Sequence, residues 1–234
     1  MNPIFISREF DDIYFSKEDG IEETKHVFLE GNQIPGRWKQ GNREIFKIGE
    51  LGFGTGLNFF VSLDLWRNLA DPPSVEFFTL EKYPLDRTLL LEMKDSFPGL
   101  KTWEEDLLQS YSQILMDPHP EAQEGHKFEW KLRHPKNQHS FTLHLFLGDV
   151  LEMLPKFSPP MDCYFLDGFA PKKNPEMWSE AVVLQLRELS KSGTSFATFT
   201  AAGFVRRSLE NVGFTVKKIS GFGKKREMLV GFLA

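Results

Sequence analysis

The stretch EIFKIGELGFGTGLN, residues 44–58, decides the fold class of this 234-residue chain. An apolar run through Phe46 and Ile48 leads to an acidic residue, Glu50, and three alternating glycines follow. An amphipathic segment begins at Leu57. The pattern predicts a strand, a tight turn and a helix. Glycines in such a turn let the backbone bend sharply and leave no side chain between the chain and a bound ligand.

The spacing of these glycines narrows the class of ligand. The dinucleotide fingerprint G-x-G-x-x-G requires a third glycine where this chain has Leu57, and no Gly-Lys-Ser/Thr of a P-loop follows. Both classes are therefore disfavoured. The E-x-G-x-G-x-G turn resembles the cofactor loop of S-adenosylmethionine (SAM) dependent methyltransferases, although structural strand-helix turns also use such glycines. The resemblance implies a cofactor loop of Glu50, Gly52, Gly54, Thr55, Gly56 and Asn58.

Composition and length favour one globular domain. The chain is 41% hydrophobic and 26% charged, and its length fits a single α/β domain. No apolar run approaches the ~18–20 residues of a membrane span, and the N-terminus lacks the pattern of a signal peptide. We therefore expect a cytoplasmic protein with no membrane contact. The single cysteine, Cys163, and the spacing of the six histidines indicate no disulfide and no metal site.

The rest of the chain alternates strand-like and helix-like segments. Apolar runs predict strands over 75–80, 141–148, 161–167 and 194–200, and a final pair of strands over 214–220 and 226–234. Amphipathic segments predict helices over 84–97, 103–116, 178–190 and 203–213. The alternation from Phe128 to Leu132 predicts a hairpin arm. This order predicts a three-layer α/β/α core over 44–234, preceded by an N-terminal extension or cap over 1–43.

Acidic residues follow three of the predicted strands. Glu81 ends the second strand of the core, where a carboxylate can accept hydrogen bonds from both hydroxyls of a ribose. Asp149 follows the next strand, where it can accept from an adenine amino group and also cap the following helix. Asp167 leaves a buried strand just before Gly168, and packing explains such a carboxylate poorly. For Glu81 the alternative is an ordinary surface carboxylate at a strand end.

Four segments carry a closer resemblance: ELGFGTGLNF, YFLDGFAPKKNPEMW, ATFTAAGFVRRSLENVGF and GFGKKREMLVG. With the N-terminal FDDIYFS and HVFLEGN, they resemble the methyltransferase domain of the bifunctional tRNA 5-methylaminomethyl-2-thiouridine biosynthesis proteins, the MnmC family. The resemblance implies a Rossmann-like class I fold with SAM as cofactor, a mostly parallel seven-stranded sheet and an antiparallel C-terminal strand. It also implies methyl transfer to the amine of 5-aminomethyl(-2-thio)uridine at the tRNA wobble position.

The family's bifunctional members carry a further, flavin-dependent domain that removes a carboxymethyl group before methylation. This chain ends at Ala234 without such a domain. We therefore expect a separate enzyme to supply the aminomethyl uridine.

Asp167 is the predicted catalytic residue. Methyl transfer is an in-line displacement that needs a neutral amine about 3–3.5 Å from the methyl group. A carboxylate beside the methyl group can hold the ammonium and take or relay its proton, and backbone carbonyls of residues 167–171 offer an alternative way to orient the amine. Phe169 and Trp178 are candidates for stacking on an everted base, although the helical spacing of Trp178 from Val182 is equally typical of a core residue.

Charge is divided unevenly along the chain. Residues 159–234 contain 11 Lys/Arg and 7 Asp/Glu, whereas the whole chain carries a net charge of −5. A basic region on an acidic protein favours a phosphate backbone as partner, although a basic patch is often only a solvated face. The predicted substrate-binding residues from this region are Lys172, Lys173, Asn174, Arg206, Arg207, Lys224, Lys225 and Arg226.

Two other classes of function remain open at this point. A SAM-dependent N-methyltransferase of a small-molecule or protein amine would share every cofactor residue. A non-catalytic RNA-binding protein on a methyltransferase fold would keep the basic region without turnover.

Overall fold

The computed structural model describes residues 6–7, 12–13, 19–40, 44–85, 88, 100 and 125–234. Two short strands, β1 (Ile6–Ser7) and β2 (Asp12–Ile13), pair antiparallel near the N-terminus. The helix predicted over 103–116 lies outside the described residues, and so does nearly all of the one predicted over 84–97.

The centre of the protein is an eight-stranded sheet in the order β5-β6-β4-β3-β7-β8-β10-β9. Strands β3, β4, β6, β7 and β8 are parallel, while β5 and β10 run antiparallel to their neighbours. The strands are β3 (Ile45–Leu51), β4 (Ser74–Glu81), β5 (Lys127–Arg133), β6 (Ser140–Leu147), β7 (Met161–Phe165), β8 (Ser190–Thr198), β9 (Phe214–Ser220) and β10 (Glu227–Leu233).

The sheet has one strand more than the seven predicted. The alternating segment around Phe128 and Trp130 pairs with β6 along its whole length and so becomes an edge strand of the main sheet. The reason is burial, since Phe128 and Trp130 are 8% and 7% exposed, while Glu129 between them faces solvent.

Helices flank the sheet on both sides. They are α1 (Gly20–Thr24), continued by a π-helical turn (Lys25–Glu30), then α2 (Ile34–Lys39), α3 (Leu57–Asn68), α4 (Val150–Met153), α5 (Glu180–Glu188) and α6 (Gly203–Asn211). In the part of the chain that the structure describes, none of them has the length and apolarity needed to cross a membrane. Helix α5 ends at Glu188, before the predicted Ser190, because the Met161 N–H captures the Leu189 carbonyl and Ser190 begins β8.

Two hydrophobic clusters cover the two faces of the sheet. Successive residues of β4 enter different clusters: Phe77 packs with Phe59 in the cluster that also contains Trp66 of α3, and Phe78 packs with Phe157 and other side chains of the opposite face. This alternation buries both faces of the central strands. It confirms the predicted three-layer α/β/α architecture.

Residues 19–40 pack into the first of these clusters. The amide of Asn32 donates to the Tyr164 carbonyl at 3.1 Å, and the Arg37 guanidinium donates to the Asp162 carbonyl and the Ser195 hydroxyl at 3.0 and 2.8 Å. Gly31 lies so close to Ala197 that an added Cβ would be 2.8 Å from the Ala197 Cβ. The N-terminal segment is therefore held on β7 and β8 by specific polar contacts as well as by apolar burial.

Candidate cofactor and acceptor site

A cleft of about 480 Å³ opens at the carboxyl ends of the parallel strands. It lies beside β3, where the strand order turns to β4 on one side and to β7 on the other, and this is the switch point at which open α/β sheets bind ligands. The volume suits a ligand of cofactor size. Its walls come from the N-terminal segment, the glycine loop, the ends of β4 and β7, and the β9–β10 hairpin.

The glycine loop between β3 and α3 has a backbone that only glycine adopts readily. Gly52, Gly54 and Gly56 have φ values of +89°, +52° and +74°. A Cβ on Gly56 would lie 2.8 Å from the Phe53 ring, and one on Gly52 would lie 3.2 Å from the Asp167 carbonyl oxygen. The alternating glycines thus let the loop pass between the ends of β3 and β7 and open directly into α3.

Glu81 connects this loop to the end of β4. Its carboxylate accepts the Gly54 N–H at 2.8 Å and the Tyr83 N–H at 2.7 Å. Burial raises the pKa of Glu81, and these two N–H donors oppose the rise. Each oxygen of a carboxylate has about two lone-pair positions, so capacity for two hydroxyl donors remains on the side that lines the cleft.

Asp149 lies at the far wall of the cleft and has two structural contacts. It accepts the Leu151 N–H at 3.0 Å as the cap of α4, and it pairs with the Lys82 ammonium at 2.9 Å. Burial alone would raise the pKa of Asp149, but Lys82 and the Leu151 N–H outweigh it and the pKa is lowered. Asp149 therefore stays ionised and can accept from an amino group.

A buried polar cluster joins the glycine loop to Asp167. The Asn58 amide nitrogen donates to Glu50 at 2.9 Å and to Asp167 at 2.6 Å, while the Thr24 hydroxyl donates to the Asn58 oxygen at 2.9 Å. Glu50 also accepts from the Thr79 hydroxyl at 2.7 Å. Because Glu50 is only 1% exposed, desolvation holds its pKa well above the ordinary value.

Asp167 faces the cleft from the end of β7. Its pKa is raised to about 7, because burial and, to a smaller extent, the Glu23 carboxylate raise it more than the Asn58 amide, the Lys225 ammonium and the Gly168 N–H lower it. A carboxyl group with a pKa near neutrality can both hold a proton and release it under physiological conditions.

Aromatic and charged side chains form the opposite end of the cleft. The Lys225 ammonium lies 2.8 Å from the Glu23 carboxylate and 4.4 Å from the centroid of the Phe199 ring. Phe169 and Met177 line the same cavity. This end therefore offers ring faces and an apolar thioether beside Asp167, which suits a flat, partly polar acceptor.

The structure brings most of the predicted site residues to the cleft wall. Those that line it are Gly52, Gly54, Thr55, Asn58, Glu81, Asp149, Asp167, Phe169, Lys173, Asn174 and Lys225. Glu50 and Gly56 lie beneath the loop and support its shape. Trp178 is 5% exposed and donates its indole N–H to the Phe169 carbonyl at 3.1 Å, so it packs under the 167–171 turn and does not line the cavity.

The remaining basic residues lie on the surface outside the cleft. Lys172, Arg206, Arg207, Lys224 and Arg226 are exposed. Arg206 pairs with Glu210 of the same helix at 2.8 Å. Lys224 and Arg226 lie in the β9–β10 hairpin, on either side of the cleft residue Lys225.

Sequence reasoning did not find the N-terminal wall of the cleft. Glu23, Thr24 and Phe28 line it, yet nothing in the local sequence marks them, because their role comes from the docking of residues 19–40. The sequence did contain a signal for Phe199, because this residue directly follows β8, as the other site residues lie at or just after the ends of their strands.

Fold and cleft together define the class of protein: a Rossmann-like α/β domain that binds a nucleoside-containing cofactor at the ends of its parallel strands. A family model described as S-adenosyl-L-methionine-dependent methyltransferase matches residues 103–234, more than half of the chain. The chain belongs to this family. The family's cofactor fits the cleft by its volume, by the positive-φ glycine loop and by the acceptor capacity of Glu81.

Curated relatives narrow the family further. The chain is 44% identical over 229 residues to the tRNA 5-methylaminomethyl-2-thiouridine biosynthesis bifunctional protein MnmC of Marinomonas sp. and 46% identical over 227 residues to that of Leptospira borgpetersenii. Each alignment covers 97% of this chain but only 32% and 33% of the relative. The chain thus spans about a third of the length of the curated relatives and corresponds to their methyltransferase domain.

A solved structure supports the fold. The crystal structure of MNMC2 from Aquifex aeolicus superposes with a TM-score of 0.71 at 23% identity, covering 97% of this chain and 66% of that one.

Among the residues that the structure describes, no three His, Cys, Asp or Glu side chains converge as they would around a metal ion.

Proposed function

We propose that the protein transfers a methyl group from SAM to the primary amine of 5-aminomethyl(-2-thio)uridine at the wobble position of tRNA. The observation that carries the proposal is Asp167, a carboxyl group with a pKa near 7 at the wall of a cofactor-sized cleft. The nucleoside is the one named for relatives that are 44% and 46% identical to this chain.

Bound SAM supplies an electrophilic methyl group on sulfur. Glu81 would hold the ribose hydroxyls of this cofactor and Asp149 would accept a hydrogen bond from its adenine amino group. Asp167 accepts a hydrogen bond from the acceptor's ammonium, takes its proton and leaves the nitrogen lone pair directed at the cleft. Asn58 holds the carboxylate in place through the 2.6 Å hydrogen bond.

The aromatic end of the cleft accommodates the base. An anticodon uridine has to leave its stack to reach a cavity of this kind, and everted bases are held between ring faces and apolar side chains. Phe169, Phe199 and Met177 supply such surfaces in the cavity wall. Trp178 contributes indirectly, because its indole N–H fixes the Phe169 carbonyl.

The exposed cations near the cleft bind the tRNA backbone in this proposal. The β9–β10 hairpin, the start of α6 and residues 172–173 all follow strand ends at the same edge of the sheet as the cleft. Phosphates that flank an everted nucleotide would therefore meet Lys172, Lys224 and Arg226. Lys225, which pairs with Glu23, acts inside the cleft.

The proposal assigns one chemical step to this cleft, methylation of an amine that is already present. The activity that makes the aminomethyl group belongs to a separate active site on another enzyme or domain. A cytoplasmic location, where tRNA is modified, is part of the same proposal.

Nucleoside mass spectrometry tests the proposal directly. Transfer RNA that carries 5-aminomethyl-2-thiouridine is incubated with the protein and methyl-labelled SAM, then digested to nucleosides. We expect the label in a single nucleoside, the methylaminomethyl product, and none with heat-treated protein. Label in a small amine or a protein, with unchanged tRNA, would support the broader N-methyltransferase class. SAM binding without any transfer would support the non-catalytic RNA-binding class.

A further inference from the structure

The side-chain amide of Asn58 is held from three sides by groups of different hydrogen-bonding type. Its nitrogen faces two carboxyl groups, Glu50 at 2.9 Å and Asp167 at 2.6 Å, and its oxygen faces the Thr24 hydroxyl at 2.9 Å. Asn58 is 7% exposed and Thr24 is 3% exposed, so water does not replace any of these partners easily.

The orientation of this amide follows from counting donors and acceptors. An ionised carboxylate only accepts, and a carboxyl group that holds a proton still has one oxygen that only accepts, whereas the amide has two N–H donors and one oxygen acceptor. The N–H groups must therefore point at Glu50 and Asp167, and the oxygen must find a donor elsewhere. Thr24 supplies that donor, and its hydroxyl satisfies the amide oxygen in the orientation that directs both N–H groups at the two carboxyl groups.

We propose that Thr24 of helix α1 is a positioning residue for methyl transfer, because its hydroxyl fixes the amide of Asn58 and the amide in turn fixes the Asp167 carboxylate toward the acceptor amine. The inference rests on the proposed function for the identity of the acceptor. It extends that function by making the N-terminal segment part of the catalytic geometry.

Docking of the N-terminal segment brings Thr24 to this place. Next to it, Glu23 pairs with Lys225 at 2.8 Å and so ties α1 to the β9–β10 hairpin. On the following turns, Asn32 bonds to the Tyr164 carbonyl of β7, the strand that ends just before Asp167. The hydroxyl of Thr24 thus transmits the position of α1 to the reacting edge of the sheet.

Loss of the Thr24 donor has a defined electrostatic consequence. Without it the Asn58 amide can rotate, and its hydrogen bond to Asp167 weakens. That hydrogen bond lowers the pKa of Asp167, as Lys225 and the Gly168 N–H do, while burial and Glu23 raise it. The pKa of Asp167 should therefore rise when the hydroxyl is removed, and a larger share of the enzyme should hold a proton at neutral pH.

The test compares Thr24→Val, which keeps the shape and loses the donor, with Thr24→Ser, which keeps the donor. Thr194→Val is the matched control, because Thr194 is also buried and donates to the Met161 carbonyl at 2.7 Å at the opposite end of the strands. One readout is the carboxyl titration of Asp167 by NMR with carbon-13-labelled aspartate, assigned by the resonance that Asp167→Asn removes. The other is turnover against KM for the aminomethyl-uridine tRNA.

We expect Thr24→Val to move the Asp167 titration to higher pH and to lower turnover about 10- to 100-fold, with KM and SAM affinity changed less than about threefold. Thr24→Ser should restore both readouts, and Thr194→Val should change neither. An unmoved Asp167 titration in Thr24→Val, or equal impairment in Thr24→Ser, would overturn the proposal. The NMR titration needs no acceptor, so it still decides the role of Thr24 if the wild type fails to methylate tRNA and the proposed function is wrong.

Discussion

Three carboxyl groups around one cleft have pKa values displaced in different directions. Burial raises the pKa of Glu50 and brings that of Asp167 to about 7, whereas the Lys82 ammonium keeps that of Asp149 low against its partial burial. The difference in environment separates the roles. Glu50 supports the loop from below, Asp149 remains an acceptor, and Asp167 has the pKa suited to proton transfer near neutrality.

The raised pKa of Asp167 predicts a cost in stability above neutral pH. An unfolded aspartate ionises near pH 4, whereas the folded one ionises near 7. Between these values the folded state holds a proton that the unfolded state has released, so the free energy of unfolding falls as pH rises from about 4 to 7 and stays lower above that range. Asp167→Asn should therefore have a free energy of unfolding at pH 8 that is about 1–3 kcal/mol higher than that of wild type. Chemical denaturation measures the difference.

The same comparison at low pH provides the control. The advantage of Asp167→Asn should shrink toward pH 4, because there the wild-type carboxyl group is protonated in the folded state. Glu81 also has a raised pKa, but it is present in both proteins and cancels in the difference. The Asp167 charge raises the pKa of Glu50, so its removal lowers that pKa and adds to the advantage of the variant at pH 8. An Asp167→Asn variant that is less stable than wild type at pH 8 would mean that Asp167 is well solvated or favourably paired as an anion.

At the residue scale, sequence position predicted where the three acids lie, whereas their roles stay predictions. Glu81, Asp149 and Asp167 each follow a strand, and parallel strands end at one edge, so their meeting at the cleft required only the strand order. Trp178 was harder to place. Its type suits both stacking and packing, and only the fold shows that the 167–171 turn covers it.

At the scale of elements, the N-terminal segment depends on a close contact at Gly31. A Cβ there would clash with the Val27 carbonyl oxygen of the preceding turn, and it would approach the Ala197 Cβ to 2.8 Å and the Met228 Cε to 3.3 Å. Gly31→Ala should therefore lower the free energy of unfolding by about 1–3 kcal/mol, measured by chemical denaturation. It should also increase hydrogen exchange in residues 19–40, because the segment would separate from β8.

Gly36 of the same segment is a matched control. It lies inside α2, and an added Cβ would have nothing within 4 Å. Alanine favours a helix interior over glycine, so Gly36→Ala should raise stability by about 0.5–1 kcal/mol. Equal effects of the two substitutions would show that the close contacts of Gly31, with the Val27 carbonyl and with β8, do not hold the segment in place.

Some elements could not be assigned from local sequence. The glycine loop and α3 followed from the spacing of Gly52, Gly54 and Gly56 and the apolar residues after them. By contrast, residues 19–40 show no clear period, and their structure depends on bonds such as that between Asn32 and Tyr164, 132 residues apart in sequence. The edge strand β5 was recognised by its alternation, but its pairing along β6 depends on burial of Phe128 and Trp130.

The β9–β10 hairpin should carry part of the tRNA affinity. If Lys224 and Arg226 contact phosphates, each contact releases counterions, and log affinity falls with log salt by ~0.7 to 0.9 per contact. The double variant Lys224→Glu, Arg226→Glu should reduce this slope by about one to two units and raise KM for tRNA, with SAM affinity unchanged. Filter binding of tRNA at several salt concentrations measures the slope.

A charge-matched double variant on the far edge of the sheet controls for net charge. Lys131 and Arg133 are exposed on β5, which is separated from the hairpin by the whole width of the sheet. Lys131→Glu, Arg133→Glu changes the net charge by the same amount and should leave the slope nearly intact. An equal loss of slope in both variants would show that overall charge attracts tRNA and that the hairpin makes no specific contact.

Across the whole molecule, the parts of the site come from segments far apart in sequence. The N-terminal segment supplies Glu23 and Thr24, the glycine loop leads to Asn58, β7 leads to Asp167, and the C-terminal hairpin supplies Lys225. Hydrogen bonds and one ion pair connect them around a single cavity. Cofactor binding, acceptor positioning and tRNA contact are therefore expected at one edge of one sheet, with Asp167 between them.

The central claim is that Asp167 holds the acceptor amine and takes its proton, and single-turnover methylation of aminomethyl-uridine tRNA at saturating SAM tests it most directly. Asp167→Asn should slow the transfer by ~10²–10⁴ while SAM affinity stays within about threefold. The control is Asp162→Asn on the same strand, where Asp162 is buried, accepts the Lys47 N–H and pairs with Lys191 away from the cleft; it should keep the wild-type rate within about threefold. Transfer by Asp167→Asn at the wild-type rate near neutral pH would contradict the account.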